Sequence, residues 1–326
     1  MKTKILSLLR ERQDYVSGQE LCDYFGVSRT AVWKVMNQLK EEGYEIEAVK
    51  NKGYKLLNQP DILSANEIAG RLNTKWAGRQ LYCLAETDST NIDAKRLIEE
   101  GAPNGTLVIA DKQNCGRGRR GRSWSSPGGT AIYMSLALKP SFHPNKASMV
   151  TLIMALAVAE GIREVTGLKA FIKWPNDVVL GKKKVCGILT EMNAELDYIH
   201  SVVIGTGINV NEQEFPAEIQ EIATSLFLEK GEKIIRAQLV ASVMEHFEED
   251  YEKFLVREDL SELSKEYNGL LINKDKRVKV LDPKQEWEGT ARGINDKGEL
   301  LVEDDEGKVA EVYAGEVSVR GLYSYV

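Results

Sequence analysis

The run Gly116–Arg122 reads GRGRRGR, four arginines in seven residues. A hydrophobic core cannot hold it, because each buried guanidinium would need its own anionic partner. Its three glycines make the backbone permissive. The run therefore reads as a mobile, solvent-facing loop dense in bidentate anion donors. The apolar stretches Thr106–Ala110 and Ala131–Ala137 on either side read as strands. A flexible cationic loop on a rigid sheet suits a lid over a phosphorylated or carboxylated ligand. A nucleic-acid patch or a plain solvated turn would have the same composition, so the neighbouring residues must decide.

The 326 residues suggest two or three domains, and 43% hydrophobic with 28% charged residues is ordinary globular composition. The net charge of −6 argues against a chain that binds nucleic acid over its whole surface, although residues 1–60 carry ten Lys/Arg against eight Asp/Glu. Cys22, Cys83, Cys115 and Cys186 form no CxxC pair, and three scattered histidines make no evident metal cluster. The short run Ile5–Leu9, broken by Ser7, does not read as a secretory signal. Met149–Ala159 is too short to span a membrane and reads as a buried helix.

Residues 1–57 have the pattern of a helix-turn-helix with a wing. Lys2–Arg12 spaces Ile5, Leu8 and Leu9 helically, and Ser17 with Glu20 is a capping box for a second helix. Ser28 caps a third helix with a buried stripe of Ala31, Val32, Val35 and Leu39. Its other face offers Arg29, Thr30, Trp33, Lys34 and Asn37, residue types that contact phosphates and base edges. Tyr44–Val49 and Tyr54–Leu57 form a hairpin pattern with Lys50 and Lys52 at its tip. DNA binding is expected of this unit; a protein-binding helical module is the plainer alternative.

Asn58–Leu63 reads as a linker, and Ser64 with Glu67 as another capping box. Beyond it, strand patterns mix with helices at Ile92–Glu100, Ala147–Val165 and Arg236–Leu255, which predicts a mixed α+β sheet domain. After Leu271, short alternating segments ending with Val317–Arg320 are separated by turns such as Asp282-Pro283, and they suggest a small β-barrel. The expected domains are 1–63, 64–270 and 271–326.

Chemistry concentrates in a few stretches. Ser89, Thr90 and Asn91 sit where a strand passes into a helix and either cap it or read a polar head group. Lys173–Asp177, KWPND, combines one cation with the oxygens of Asn176 and Asp177, as a Mg-nucleotide site requires. Lys184 abuts the strand pattern Val185–Glu191, where an ammonium would stabilise developing negative charge. Gly205–Asn211, GTGINVN, follows a strand without the spacing of a dinucleotide fingerprint; its Asn209 is an amide reader.

In one order along one chain, these stretches resemble the biotin–protein ligases, and with the N-terminal module they resemble the bifunctional ligase/biotin operon repressor type. One departure is Asp88, where the family's SSTN-type run leads with serine. The resemblance implies an N-terminal winged helix-turn-helix, a central mixed-sheet ligase domain and a C-terminal SH3-like barrel. It implies that biotin and MgATP form biotinyl-5′-adenylate, which then passes biotin to a lysine of a biotin carrier domain. On this resemblance Ser89, Thr90, Asn91, Gln113, Arg117, Gly118, Arg119 and Lys184 line the biotin side, and Lys184 and Arg119 also act at the reacting groups. Arg122, Trp124, Lys173, Asn176, Asp177 and Asn209 face nucleotide and metal, with no metal site beyond the Mg²⁺ of ATP. Ser28, Arg29, Thr30, Trp33, Lys34, Asn37, Lys50 and Lys52 would meet operator DNA. The adenylate would also promote a repressing homodimer in the cytoplasm, away from membranes. A biotin-responsive transcription factor without ligase activity, and a lipoate or octanoate ligase, are the alternatives. The intact cations and the winged module stand against them.

Overall fold

The computed structural model describes residues 1–12, 14–281, 286–314, 318–321 and 325–326. Three helices lead: α1 Lys2–Arg12, α2 Gly18–Phe25 and α3 Arg29–Glu41. Ser17 accepts from the backbone N–H of Glu20 and Ser28 from that of Ala31, so both expected caps form. The buried stripe of α3 is Val32, Val35, Met36 and Leu39. Met36 takes the place expected of Ala31, which is half-buried. Strands β1 Glu45–Val49 and β2 Gly53–Asn58 pair antiparallel and present Lys50 and Lys52 at their turn. This unit has its own apolar core, from Ile5 and Leu9 through Leu21 and Leu39 to Ile46.

Helix α4, Ala65–Ala69, follows the expected cap Ser64. Glu67 does not reach back as a capping box requires. Its buried carboxylate accepts from Arg10 Nη2 at 2.6 Å, Arg71 Nη1 at 2.6 Å and the hydroxyl of Tyr44. A carboxylate out of water needs charged donors more than one backbone amide, and Glu67 thereby ties α1 and the β1 approach to the central domain.

The central sheet has seven strands in the order β3-β4-β5-β9-β8-β7-β6. They are β3 Leu81–Thr87, β4 Thr106–Gln113, β5 Ile132–Leu138, β6 Ala170–Lys173, β7 Asp177–Leu180, β8 Lys183–Ala194 and β9 Ile199–Ile208. Only β3 and β4 run parallel; the other pairings are antiparallel, so the sheet is mixed as expected. Strand β9 extends further than the sequence suggested, so Gly205–Ile208 lie inside it and not after it. Helix α5 Thr90–Glu99 packs on one face, and α6 Ala147–Thr166 with α8 Arg236–Arg257 on the other. The short helices α7 Leu226–Lys230 and α9 Ser264–Leu270 complete this domain.

Five antiparallel strands close the chain in the order β13-β12-β11-β10-β14: β10 Arg277–Leu281, β11 Glu286–Ile294, β12 Leu300–Glu303, β13 Val309–Val312 and β14 Ser318–Gly321. The expected turn at Asp282-Pro283 and the strand start at Val317 lie outside the described residues. Val278, Ala291, Leu300 and Val319 join the same apolar cluster as the central sheet. Trp174 is buried, and its Nε1 donates to Gly298 O at 3.1 Å. The KWPND turn is therefore anchored to the turn between β11 and β12.

Candidate functional site

Two cavities open on the face of the central sheet that carries the arginine–glycine loop. The smaller is lined by Ser89, Thr90, Asn91, Gln113, Arg117 and residues of β5, β8 and β9. Ser89 stands at the start of α5 but makes no side-chain capping bond, so the purely capping reading fails there. Thr90 donates from its backbone N to Gln113 Oε1 at 2.9 Å, and its hydroxyl lies 3.2 Å from the same oxygen. Asn91 Nδ2 donates to Glu191 Oε2 at 2.6 Å. A Cβ at position 205 would stand 2.2 Å from Asn91 Oδ1, so glycine there is what lets Asn91 reach the sheet.

The larger cleft is lined by Lys173, Asp177, Asn209, Arg122, Glu212 and, from the C-terminal segment, Arg320 and Tyr325. The two cavities share Gly118, Arg119, Trp124, Asn176 and Lys184. Lys184 Nζ sits 2.6 Å from Asp177 Oδ1 and 5.2 Å from the centre of the Trp124 ring. Lys173 Nζ is 3.8 Å from Asp177 Oδ2 and 3.8 Å from the Tyr325 ring centre. The Tyr325 hydroxyl donates to Asp177 Oδ2. Burial opposes ionisation of Asp177, yet the charges of Lys184 and Lys173 hold its carboxyl below the ordinary value. Burial of Lys173 outweighs Asp177 and draws its ammonium down to about 8. Asn209 is buried and donates from Nδ2 to Thr224 O at 3.0 Å.

The arginine–glycine loop departs from the expected solvent-facing lid. Arg119 turns inward, donating to Asn176 Oδ1 at 2.9 Å and Ala314 O at 3.1 Å, and burial lowers its pKa. Arg117 and Arg122 remain exposed. The backbone N of Gly118 donates to Arg122 O at 2.7 Å, which closes the turn. Trp124 fills the space left by Gly187 and Gly207, and its buried Nε1 has no hydrogen-bond partner.

Tyr325, Arg320, Ser135 and Glu191 were not legible as site residues. The first two are far from the motifs in sequence, and Ser135 sits in an apolar strand with no local signal. On the N-terminal unit, Ser28, Arg29, Thr30, Trp33 and Lys34 are exposed along one face of α3, Trp33 by 59%, and Asn37 is half-buried there. Lys50 and Lys52 are exposed as well.

Residues 82–209 match the Biotin/lipoate A/B protein ligase family, residues 2–55 an HTH domain, and residues 275–320 the Biotin protein ligase C terminal domain. The chain is 43% identical over 309 residues to the Bifunctional ligase/repressor BirA of Bacillus subtilis, covering 94% of each. It is 31% identical over 317 residues to the protein of that name from Escherichia coli, covering 97% of this chain and 96% of the relative. A solved biotin protein ligase from Aquifex aeolicus, in complex with biotin and ATP, superposes with a TM-score of 0.66 at 32% identity, over 74% of this chain and 99% of that one. With identity running through all three units, the chain belongs to the biotin–protein ligase family, in its bifunctional ligase/repressor form.

Proposed function

We propose that this chain activates biotin with ATP to biotinyl-5′-adenylate, transfers biotin to a lysine of a biotin carrier protein of the acetyl-CoA carboxylase type, and represses biotin synthesis or transport genes. The observation that carries the catalytic reading is the pair of cavities joined at Arg119, Trp124, Asn176 and Lys184. Two substrates that must react with each other need separate pockets with a common, cationic boundary.

Ser89, Thr90, Asn91, Gln113 and Arg117 would hold the biotin side. A biotin carboxylate oxygen then attacks the α-phosphorus of ATP, and pyrophosphate leaves. Negative charge gathers at the boundary, where Lys184 and Arg119 would contact the reacting groups and stabilise that charge without forming a covalent bond to the substrate. The acceptor lysine amine next attacks the acyl carbon and expels AMP. Gly118, Arg122 and Trp124 would cover the mixed anhydride and keep water from it. Lys173, Asn176, Asp177 and Asn209 would order the nucleotide.

Magnesium bound to ATP would neutralise phosphate charge. It takes oxygen ligands, commonly one or two carboxylates together with phosphates and water. Asp177, Glu212 and Glu214 line the cleft. Asp177 is already paired with Lys184, Lys173 and Tyr325, and no cluster of metal-ligating side chains stands among the described residues, so the ion would be held chiefly by the phosphates, with these carboxylates at hand as oxygen donors.

The N-terminal unit is read as a winged helix-turn-helix over residues 1–63, and residues 271–326 as an SH3-like barrel that lends Arg320 and Tyr325 to the cleft, with the ligase domain at 64–270. The adenylate-bound form would pair as a homodimer, placing two copies of α3 on two operator half-sites. No helix among the described residues is long and apolar enough to cross a membrane; we place the protein in the cytoplasm. ATP–pyrophosphate exchange with biotin, lipoate and octanoate tests the enzyme. Exchange with biotin alone is expected. Exchange with the other acids, or none with biotin, overturns the reading.

A further inference from the structure

Behind the small cavity, five side chains form one chain of short polar contacts. Lys95 Nζ lies 2.8 Å from Glu191 Oε1. Asn91 Nδ2 donates to Glu191 Oε2 at 2.6 Å and reaches Leu189 O at 3.4 Å. Ser135 Oγ lies 2.6 Å from Asn91 Oδ1 and 2.7 Å from Thr90 Oγ1. Ser135 has no exposed surface, and it faces Gly205 across the β5–β9 pairing, the position whose missing side chain admits Asn91.

Donor and acceptor chemistry gives this chain one direction. A carboxylate only accepts, so Glu191 takes the N–H₂ end of Asn91 and turns its Oδ1 to Ser135. An amide oxygen only accepts, so the one hydroxyl hydrogen of Ser135 goes to Asn91. Ser135 Oγ then accepts from Thr90, at 2.7 Å a nearer acceptor than Gln113 Oε1 at 3.2 Å. The hydrogen of Thr90 is spent, and its lone pairs face the cavity. Gln113 Oε1, already accepting from the Thr90 backbone, adds a second acceptor beside it.

We propose that Glu191, acting through Asn91 and Ser135, fixes the direction of the Thr90 hydroxyl and so makes the small cavity select a head group that donates an N–H, as the ureido ring of biotin does. This rests on the biotin reading above. Glu191 and Ser135 are positioning and specificity residues; neither touches the ligand. Reversing the chain at any link turns Thr90 into a donor and lets the cavity accept a ring oxygen.

The test measures binding to the full-length chain by titration calorimetry. The probes are biotin and its two cyclic carbamate isosteres, each with one ureido N–H replaced by oxygen. A buried acceptor facing another acceptor is left unpaired, so the wild type should prefer biotin over the better-aligned carbamate by roughly 100-fold. Ser135→Ala removes the acceptor that fixes the Thr90 hydroxyl, whose hydrogen can then turn into the cavity or to the longer contact with Gln113 Oε1 at 3.2 Å. Glu191→Gln lets Asn91 flip and reverses the chain with hardly any change in shape. In both variants the preference should fall below about tenfold, while biotin itself weakens less than the carbamate gains. Two variants guard against a folding defect in either, and a merely structural role would weaken all three ligands by one factor. An unchanged preference in both variants, or no preference in the wild type, overturns the proposal. Failure of the wild type to bind biotin at all overturns the underlying reading instead.

Discussion

Lys184 Nζ rests 2.6 Å from Asp177 Oδ1, where the small cavity meets the large cleft. The ammonium is thus held by a carboxylate of the large cleft while it borders the small cavity. Replacing it removes the charge from the reacting position but leaves Asp177 with Lys173 and Tyr325. Lys184→Ala is expected to fold and to lose roughly 100- to 1000-fold in biotin-dependent pyrophosphate exchange, the cost of deleting one preorganised charge stabiliser. Exchange near the wild-type rate would remove Lys184 from the reaction.

Lys173 carries a pH dependence. Its folded-state value, about 8, lies below that of an exposed lysine because it is buried. In the free enzyme the cation is lost above that pH, so kcat/KM for ATP should fall as pH rises through about 8. Lys173→Arg keeps its charge and should lose that inflection. The stability of the ligand-free chain has the opposite sign. From about 8 up to the unfolded lysine value the unfolded chain binds more protons, so this group makes unfolding less favourable as pH rises. Urea midpoints across that interval check it, with Lys173→Met lacking the rise.

Glu67 joins the N-terminal unit to the rest through Arg10, Arg71 and Tyr44. Removing the shared partner strands two half-buried guanidinium groups. Glu67→Ala should cost about 3–5 kcal/mol. Because residues 1–57 keep a separate apolar core, calorimetry should resolve two unfolding transitions where the wild type shows a more concerted one. A single transition at the wild-type temperature would refute this.

Gly205→Ala drives a Cβ into Asn91 Oδ1. The strand is backed by a filled core and cannot retreat, so Asn91 must move, at about 1–3 kcal/mol. Biotin affinity should drop while ATP affinity stays, which parallel titrations would separate.

Lys50 and Lys52 at the β1–β2 turn are proposed phosphate contacts. Replacing both by alanine should weaken binding to every DNA sequence alike. It should also flatten the plot of log K against log salt by about 2, one unit per lost phosphate contact. A change confined to the operator would mean that they read bases.

Much of this was legible in the chain. The caps Ser17 and Ser28, the period of α3, the buried run of α6 and the strands around GRGRRGR all rest on contacts between residues near in sequence, where spacing and residue chemistry suffice. The stretches that line the two cavities were legible for a related reason: Lys184, KWPND and Ser89–Asn91 combine charge and backbone constraint locally. Pairings between distant segments were not legible. No pattern says that Glu67 abandons its cap for Arg10, since a capping box and a buried ion pair look alike in a row of letters. Arg119 illustrates the limit from the other side. Composition argues correctly that four arginines cannot be buried together, but only the approach of Asn176 and Ala314 O selects the one that turns inward.

The residue alphabet and its local order settled which helices and strands form, where cations and amides concentrate, and hence the family of reactions within reach. The fold decided which of those groups meet. Tyr325 reaches Asp177 from the end of the chain, Ser135 receives Asn91 only because Gly205 pairs beside it, and the C-terminal sheet shares its apolar cluster with the ligase sheet while the N-terminal unit does not. Each is a long-range contact, whose free energy comes from burial and partner geometry assembled across the sheet, and neither exists until distant segments are brought together.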